Sequence, residues 1–259
     1  LLSRRQRQMC IRDSNTISTY MRMLRSIYNR GVDMHQAPYV HGLFRDVFTG
    51  VDTRQKKAIP IGELHMLLNK DPQSEKLRRT QAIANLLFQF CGMPFSDLAH
   101  LEKSNLERGL LKYNRTKTGT PMSIEVLESA QNAIGGLYNK SDARSSGYPD
   151  YLFRILSGAY KRNEEGAYRE YQSALRRFNN ELKSLSRKLR ISSSVTSYTL
   201  RHSWATTAKY RGVPIEMISE SLGHKSIKTT QIYLKGFELE ERTKVNKLNY
   251  SYVCSFKMF

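Results

Sequence analysis

Apolar residues recur along most of this chain with the period of a helix. Ile17, Tyr20, Met21, Leu24, Ile27 and Tyr28 fall three and four residues apart between Asn15, a cap, and Gly31, a stop, and predict an amphipathic helix. Leu64, Leu67 and Leu68 predict a short helix; Ile83, Leu86, Leu87 and Phe90 line one face of a longer one over 77–90. The longest seam runs through Tyr168, Tyr171, Leu175, Phe178, Leu182, Leu185 and Leu189, with the alternating spacing of a coiled-coil stripe. The period shortens to two over 109–116 and 120–126, where Leu110, Leu111, Ile124 and Val126 suit a half-buried hairpin joined at Lys117-Thr118-Gly119. Residues 141–150 are a loop by composition. The fold class expected is mainly α with a small β-sheet.

Between 196 and 235 the helical pattern breaks into three short pieces. Leu200, Trp204, Ala205 and Ala208 mark the first, closed by Gly212; Pro214 opens the second, which carries Ile215, Ile218 and Leu222 and ends at Gly223. Ser226 caps the third, with Ile227, Thr230 and Tyr233. Folded back on one another, these pieces bring Arg201, His224 and Tyr233 together. A guanidinium matches two phosphate oxygens with a planar fork, and a histidine adds a donor near neutral pH. A tyrosine beside them can attack phosphorus once cations or a base make its phenolate accessible from an ordinary pKa of about 10. Charge that builds on the non-bridging oxygens meets fixed donors. The bland alternative is a helical bundle in which His224 ends a helix and Tyr233 packs in the core.

Charge favours the phosphate reading. Of 259 residues, 42 are Lys or Arg and 23 are Asp or Glu, a formal net charge of +19. A surplus of that size suits a polyanionic partner, because each neutralised phosphate releases condensed counterions. No apolar run approaches the roughly 20 residues that span a bilayer, and no signal peptide is visible, so no membrane role is expected. Cys10, Cys91 and Cys254 are too few and too scattered for a disulfide framework or a zinc cluster, which suggests a reducing cytoplasm and no metal.

The boxes around these residues resemble those of the tyrosine recombinases, the integrases of phages and conjugative elements, and among them the Bacteroides-type mobile-element integrases. Arg201-His202-Ser203-Trp204-Ala205-Thr206 matches the arginine box, Leu222-Gly223-His224 the second, and Tyr233 the nucleophile; His224 follows Arg201 by 23 residues and Tyr233 follows His224 by nine. The turn Cys91-Gly92-Met93-Pro94-Phe95-Ser96-Asp97-Leu98 resembles the family's first box, with Cys91 where an arginine is common. Arg115-Thr116-Lys117-Thr118-Gly119 matches the hairpin that carries a mobile lysine, and Tyr198 stands where the family usually has His or Lys.

The resemblance implies DNA strand exchange without a cofactor. Tyr233 would attack a phosphodiester, form a 3′-phosphotyrosyl link and free a 5′ hydroxyl, with Arg201 and His224 holding the phosphate, Lys117 protonating the leaving oxygen and Tyr198 assisting. It implies contacts to double-stranded DNA from Arg54, Lys56, Lys57, Arg115, Lys225 and Lys228, a homotetramer on DNA tied by the C-terminal segment, and no small-molecule substrate. It also implies a catalytic domain at 61–247, preceded by a linker at 44–60 and by the truncated end of a helical, SAM-like core-binding domain at 15–43. Residues 1–14 read as a disordered or non-native basic end and 248–259 as a tail. Two other readings stay open: a catalytically impaired DNA-binding relative, weakened by Cys91, and a type IB topoisomerase-like nicking enzyme.

Overall fold

The computed structural model describes residues 14–49, 58–141 and 147–234, with 243, 246–248 and 250–251 beyond them. The chain forms two compact units, Leu1–Gln55 and Lys56–Phe259. Arg54, Lys56 and Lys57, expected to meet DNA, lie outside the described residues, as do 1–13 and most of the chain after Leu234.

In the first unit, helix α1 spans Ser14–Asp33 and runs through Gly31, where the sequence suggested a stop. One glycine inside an otherwise favourable helix costs only about 1 kcal/mol. The chain turns instead at His35, whose φ is 56°, and the Gly31 carbonyl accepts from the amides of Gln36 and Ala37. Tyr28 pins the returning segment: its hydroxyl donates to the Pro38 carbonyl at 2.9 Å and accepts from the Val40 amide at 2.6 Å.

The second unit is built around one helix. After α2 (Ile61–Asn69), α3 (Glu75–Gln89) packs against α2, α5 (Glu128–Leu137), α6 (Glu165–Lys188) and α7 (Ser197–Tyr210). Neighbours on several sides explain why consecutive Leu86 and Leu87, with Ile83 and Ala84, are all buried, where the sequence pattern suggested a single apolar face. Burying a leucine fully contributes about 1.5–3 kcal/mol, so this helix anchors the core. The α6 seam is real from Phe178 through Leu182 and Leu185, and Phe178 stacks on Phe95 with centroids 4.8 Å apart. Tyr168 leaves the seam and is 64% exposed, while its neighbour Ala167 takes the buried side of the first turn of α6.

Two buried pieces escaped the sequence pattern. One is α5; the other is the run Tyr151-Leu152-Phe153, held by single bridges of Tyr151 to Glu102 and Phe153 to Tyr138. The second piece is too short to show either period, whereas α5 does carry a sparse helical one in Ala130, Ile134 and Leu137. The sheet is antiparallel, in the order β1 (Leu106–Glu107), β2 (Leu110–Asn114), β3 (Pro121–Glu125). The expected hairpin is present, and its register places Leu111 opposite Ile124, both buried. A short helix α4 (Phe95–Ala99) follows the Cys91-Gly92 turn; α8 (Ile215–Ser221) packs against α7, and α9 (Ile227–Tyr233) packs against α8. None of the described helices is long and apolar enough to cross a membrane.

Candidate active site

Helix α7 presents the central arginine. Thr196 caps it, its hydroxyl accepting from the Thr199 amide at 3.2 Å, and Leu200 and Ala205 sink into the cores on either side. Arg201 is thereby held at 6% exposure with its guanidinium spread over three acceptors. Nη1 donates to the Gly92 carbonyl at 2.9 Å, and Nη2 lies 2.6 Å from the Leu222 carbonyl and 3.3 Å from His224 Nε2. Arg201 and His224 are thus brought together.

The turn beneath α7 is shaped by a close approach. Gly92 has φ +65°, and a Cβ there would sit 3.2 Å from Arg201 Cα and from Trp204 Cβ, so a bare backbone lets the carbonyl reach the guanidinium. Cys91 precedes it in the same left-handed conformation, at φ 54°, an uncommon state for a residue with a side chain. Its thiol is half-buried, and burial pushes its pKa up, away from the reactive thiolate.

His224 sits in a cationic corner. Burial comes first, followed by the charges of Arg201, Arg115 and Lys117, and together they push its pKa down from 6.5 to about 4. A guanidinium only donates, so Nε2 accepts and Nδ1 carries the proton, which it gives to Thr230 Oγ1 at 2.8 Å. The sequence suggested a donor near neutral pH; with three cations nearby, the imidazole is neutral and offers Nε2 as an acceptor. Lys117 is exposed in the hairpin loop, close enough for its charge to bear on His224.

Arg115 is a correction. Expected to touch DNA, it is 7% exposed: Nε lies 3.4 Å from Asp97 Oδ2, and Nη1 donates to the carbonyls of Leu222 at 2.9 Å and Gly223 at 3.1 Å. Strand alternation explains it, since Leu111, Tyr113 and Arg115 share the inward face while Lys112 and Asn114 face out. Asp97, 3% exposed, completes the clamp by accepting from the Thr116 amide at 3.2 Å. Sequence reasoning missed both partners; counting by twos from Leu111 through Tyr113 is the signal that leads to Arg115. Burial, aided by the Asp97 carboxylate, pushes the Tyr113 phenol above its ordinary range, and the charges of Arg115 and Arg201 act on it in the opposite direction.

The remaining expected residues ring this centre. Tyr198 lies on α7, three residues before Arg201, and is 43% exposed. Lys225 and Lys228 are exposed on the turn into α9 and on its first turn. Helix α9 starts at Ser226, whose hydroxyl accepts from the Lys228 amide at 3.3 Å, and ends at Tyr233, whose side chain lies outside the described residues. The end of α9 is held to α7 by Lys209 Nζ, which donates to the Leu234 carbonyl at 3.0 Å. Leu234 in turn joins Ala205, Ile218 and Leu222 in a small separate core.

Comparison with known proteins gives the same answer along most of the second unit. Residues 61–239 match the model of the phage integrase family. The tyrosine recombinase XerD of Halalkalibacterium halodurans is 30% identical over 190 residues, covering 70% of this chain and 57% of that protein. XerA of Pyrococcus furiosus is 31% identical over 181 residues, covering 69% and 57%. The chain spans less than two thirds of the length of these curated relatives. In fold it is similar to a crystal structure of the XerA recombinase (TM-score 0.55, 22% identity, 78% of this chain and 66% of that one). It is also similar to the Tn1549 transposon integrase solved with a circular intermediate DNA (TM-score 0.59, 14% identity, 91% and 84%). A family model that covers most of the chain, over the residues that build the Arg201–His224 pair, settles the lineage: the chain belongs to the phage integrase family, the tyrosine recombinases.

Proposed function

We propose that this protein is a site-specific DNA recombinase that cuts and rejoins strands through Tyr233. The observation that carries the reading is Arg201 Nη2 at 3.3 Å from His224 Nε2, with the charge of Lys117 bearing on the same imidazole. One fixed guanidinium, a neutral imidazole with an accepting Nε2 and one exposed ammonium suit a phosphodiester in the act of exchanging one oxygen for another. Relatives named as tyrosine recombinases and integrases support the same reading.

In this reading Tyr233 Oη attacks phosphorus and gives its proton to the lone pair on His224 Nε2. The bond from phosphorus to the 5′ oxygen breaks, and that oxygen takes a proton from Lys117, leaving a free 5′ hydroxyl and a 3′-phosphotyrosine. Arg201 holds the non-bridging oxygens, and the exposed phenol of Tyr198 adds a hydrogen bond. A second 5′ hydroxyl then attacks phosphorus, returns its proton to Lys117, and the phenolate recovers the proton held on His224. The phosphoester energy is kept throughout, so no nucleotide is consumed.

Cys91 takes the first-arginine position, removing one donor from the site; losing such a donor costs on the order of 2.7–4 kcal/mol of transition-state stabilisation. Lys225 and Lys228, beside the phosphate, and Arg54, Lys56 and Lys57, in the linker, contact the DNA backbone. The first unit belongs to a core-binding domain, and the active assembly is a homotetramer on duplex DNA.

A pool of nicked duplexes of randomised sequence tests the reading. The wild-type protein is expected to form an adduct that survives a denaturing gel, maps to Tyr233 by peptide sequencing, and goes on to join an added 5′-hydroxyl strand. Tyr233→Phe abolishes the adduct. Binding without attachment points to a DNA-binding relative, and relaxation of supercoiled DNA without strand joining points to a nicking enzyme.

A further inference from the structure

Arg115 is an unusual side chain for the interior. From the residue after β2 it crosses to the Leu222-Gly223 turn, between the Asp97 carboxylate at 3.4 Å on one side and two adjacent carbonyls at 2.9 and 3.1 Å on the other. The same carboxylate accepts the Thr116 amide, the first residue of the hairpin loop that holds Lys117. The same Leu222 carbonyl accepts Arg201 Nη2. His224 follows directly after Gly223.

The Leu222-Gly223 turn is moulded to this arginine. Gly223 has φ +62°, and a Cβ there would lie 2.4 Å from Arg115 Cδ and 2.7 Å from Met122 Sδ, so the hairpin side chains occupy the space a larger residue would need. A simple buried ion pair needs no such fit, and one carboxylate would satisfy the charge. Three acceptors on two elements, 18 and 107 to 108 residues away in the chain, hold the hairpin and the turn in one geometry.

We propose that Arg115 is a positioning residue that sets the Lys117 hairpin against the His224 turn, so that the proton donor and the phosphate cradle face one scissile bond. It acts through Lys117, not on the phosphate. The proposal rests on the strand-exchange reading above for its chemical consequence, while its structural part stands independently.

The experiment uses the full chain and Arg115→Met, with Arg115→Lys as the second variant if the first does not fold; a lysine keeps the charge opposite Asp97 and loses the fork. Hydrogen exchange on the free protein reads the structural part. Faster exchange is expected in both 116–119 and 222–224 with α3 unchanged; unchanged exchange in either segment overturns the proposal. Cleavage is then read on a nicked duplex recovered from the randomised pool, in its ordinary form and with sulfur at the 5′-bridging position. A departing thiolate needs no proton, so the variant is expected to slow the ordinary duplex about tenfold or more beyond whatever slowing the loosened His224 turn causes on the sulfur duplex. Equal slowing on both, the mark of a group that acts on the non-bridging oxygens, overturns the proposal. If the wild-type protein forms no adduct, it is the strand-exchange reading that fails, and the exchange data still decide the role of Arg115.

Discussion

Arg115 and Arg201 share one acceptor: the carbonyl oxygen of Leu222 lies 2.9 Å from Nη1 of the first and 2.6 Å from Nη2 of the second. Two guanidiniums on one carbonyl repel each other, and the arrangement stands because Asp97 neutralises one of them and the Gly92 carbonyl takes another donor of the other. The turn after α8 is therefore the keystone of the site, and its backbone geometry decides where His224 points.

Gly223→Ala tests that turn. The new Cβ would meet Arg115 and Met122 in a backbone conformation that side chains rarely adopt. The expected loss is about 1–3 kcal/mol in urea denaturation, with DNA cleavage falling further than stability alone explains. Wild-type stability together with wild-type cleavage would show that the turn tolerates displacement.

The depressed pKa of His224 makes a pH prediction. Between 6.5 and about 4 the unfolded chain binds a proton that the folded imidazole refuses. Stability therefore falls as pH drops through that window, and above 6.5 His224 contributes no pH dependence. A nuclear magnetic resonance titration of the free protein is expected to find the His224 midpoint near 4, and His224→Gln is expected to flatten the stability profile over the same range. Duplex DNA adds negative charge among the cations and raises the midpoint; a midpoint near 6.5 in the free protein would contradict the cationic corner.

Ser203 ties the start of the second unit to α7. Its hydroxyl donates to the Thr199 carbonyl at 2.8 Å and accepts from the Ile59 amide at 2.8 Å. Ser203→Ala leaves that buried amide without its acceptor, and the expected loss is about 1–3 kcal/mol in thermal or urea denaturation. An unchanged midpoint would mean that the Ile59 amide finds water instead.

Cys91→Arg is expected to raise adduct formation severalfold. The thiol lies in the charged neighbourhood of Tyr113, Arg115 and Arg201, and a guanidinium there adds the donor that cysteine cannot supply. Equal or lower adduct yield would remove Cys91 from the first-arginine position.

Local pattern by itself determined most of the elements. The three- and four-residue spacing of α3 and α6 and the two-residue alternation of β2 and β3 follow from which side of each backbone must leave water, and Ser226 marks the start of α9 through its own hydroxyl. The order of the boxes, with Arg201 and His224 twenty-three residues apart, was equally visible in one dimension. Partnership was decided only in three dimensions. Arg115 finds Asp97 eighteen residues away and Leu222 at 107, distances across which sequence spacing carries no signal, and its burial turned an expected DNA contact into an internal strut. The neutral state of His224 is likewise a sum of burial and charges from Arg201, Arg115 and Lys117, each brought in by a different element, and such a sum exists only once those elements are packed.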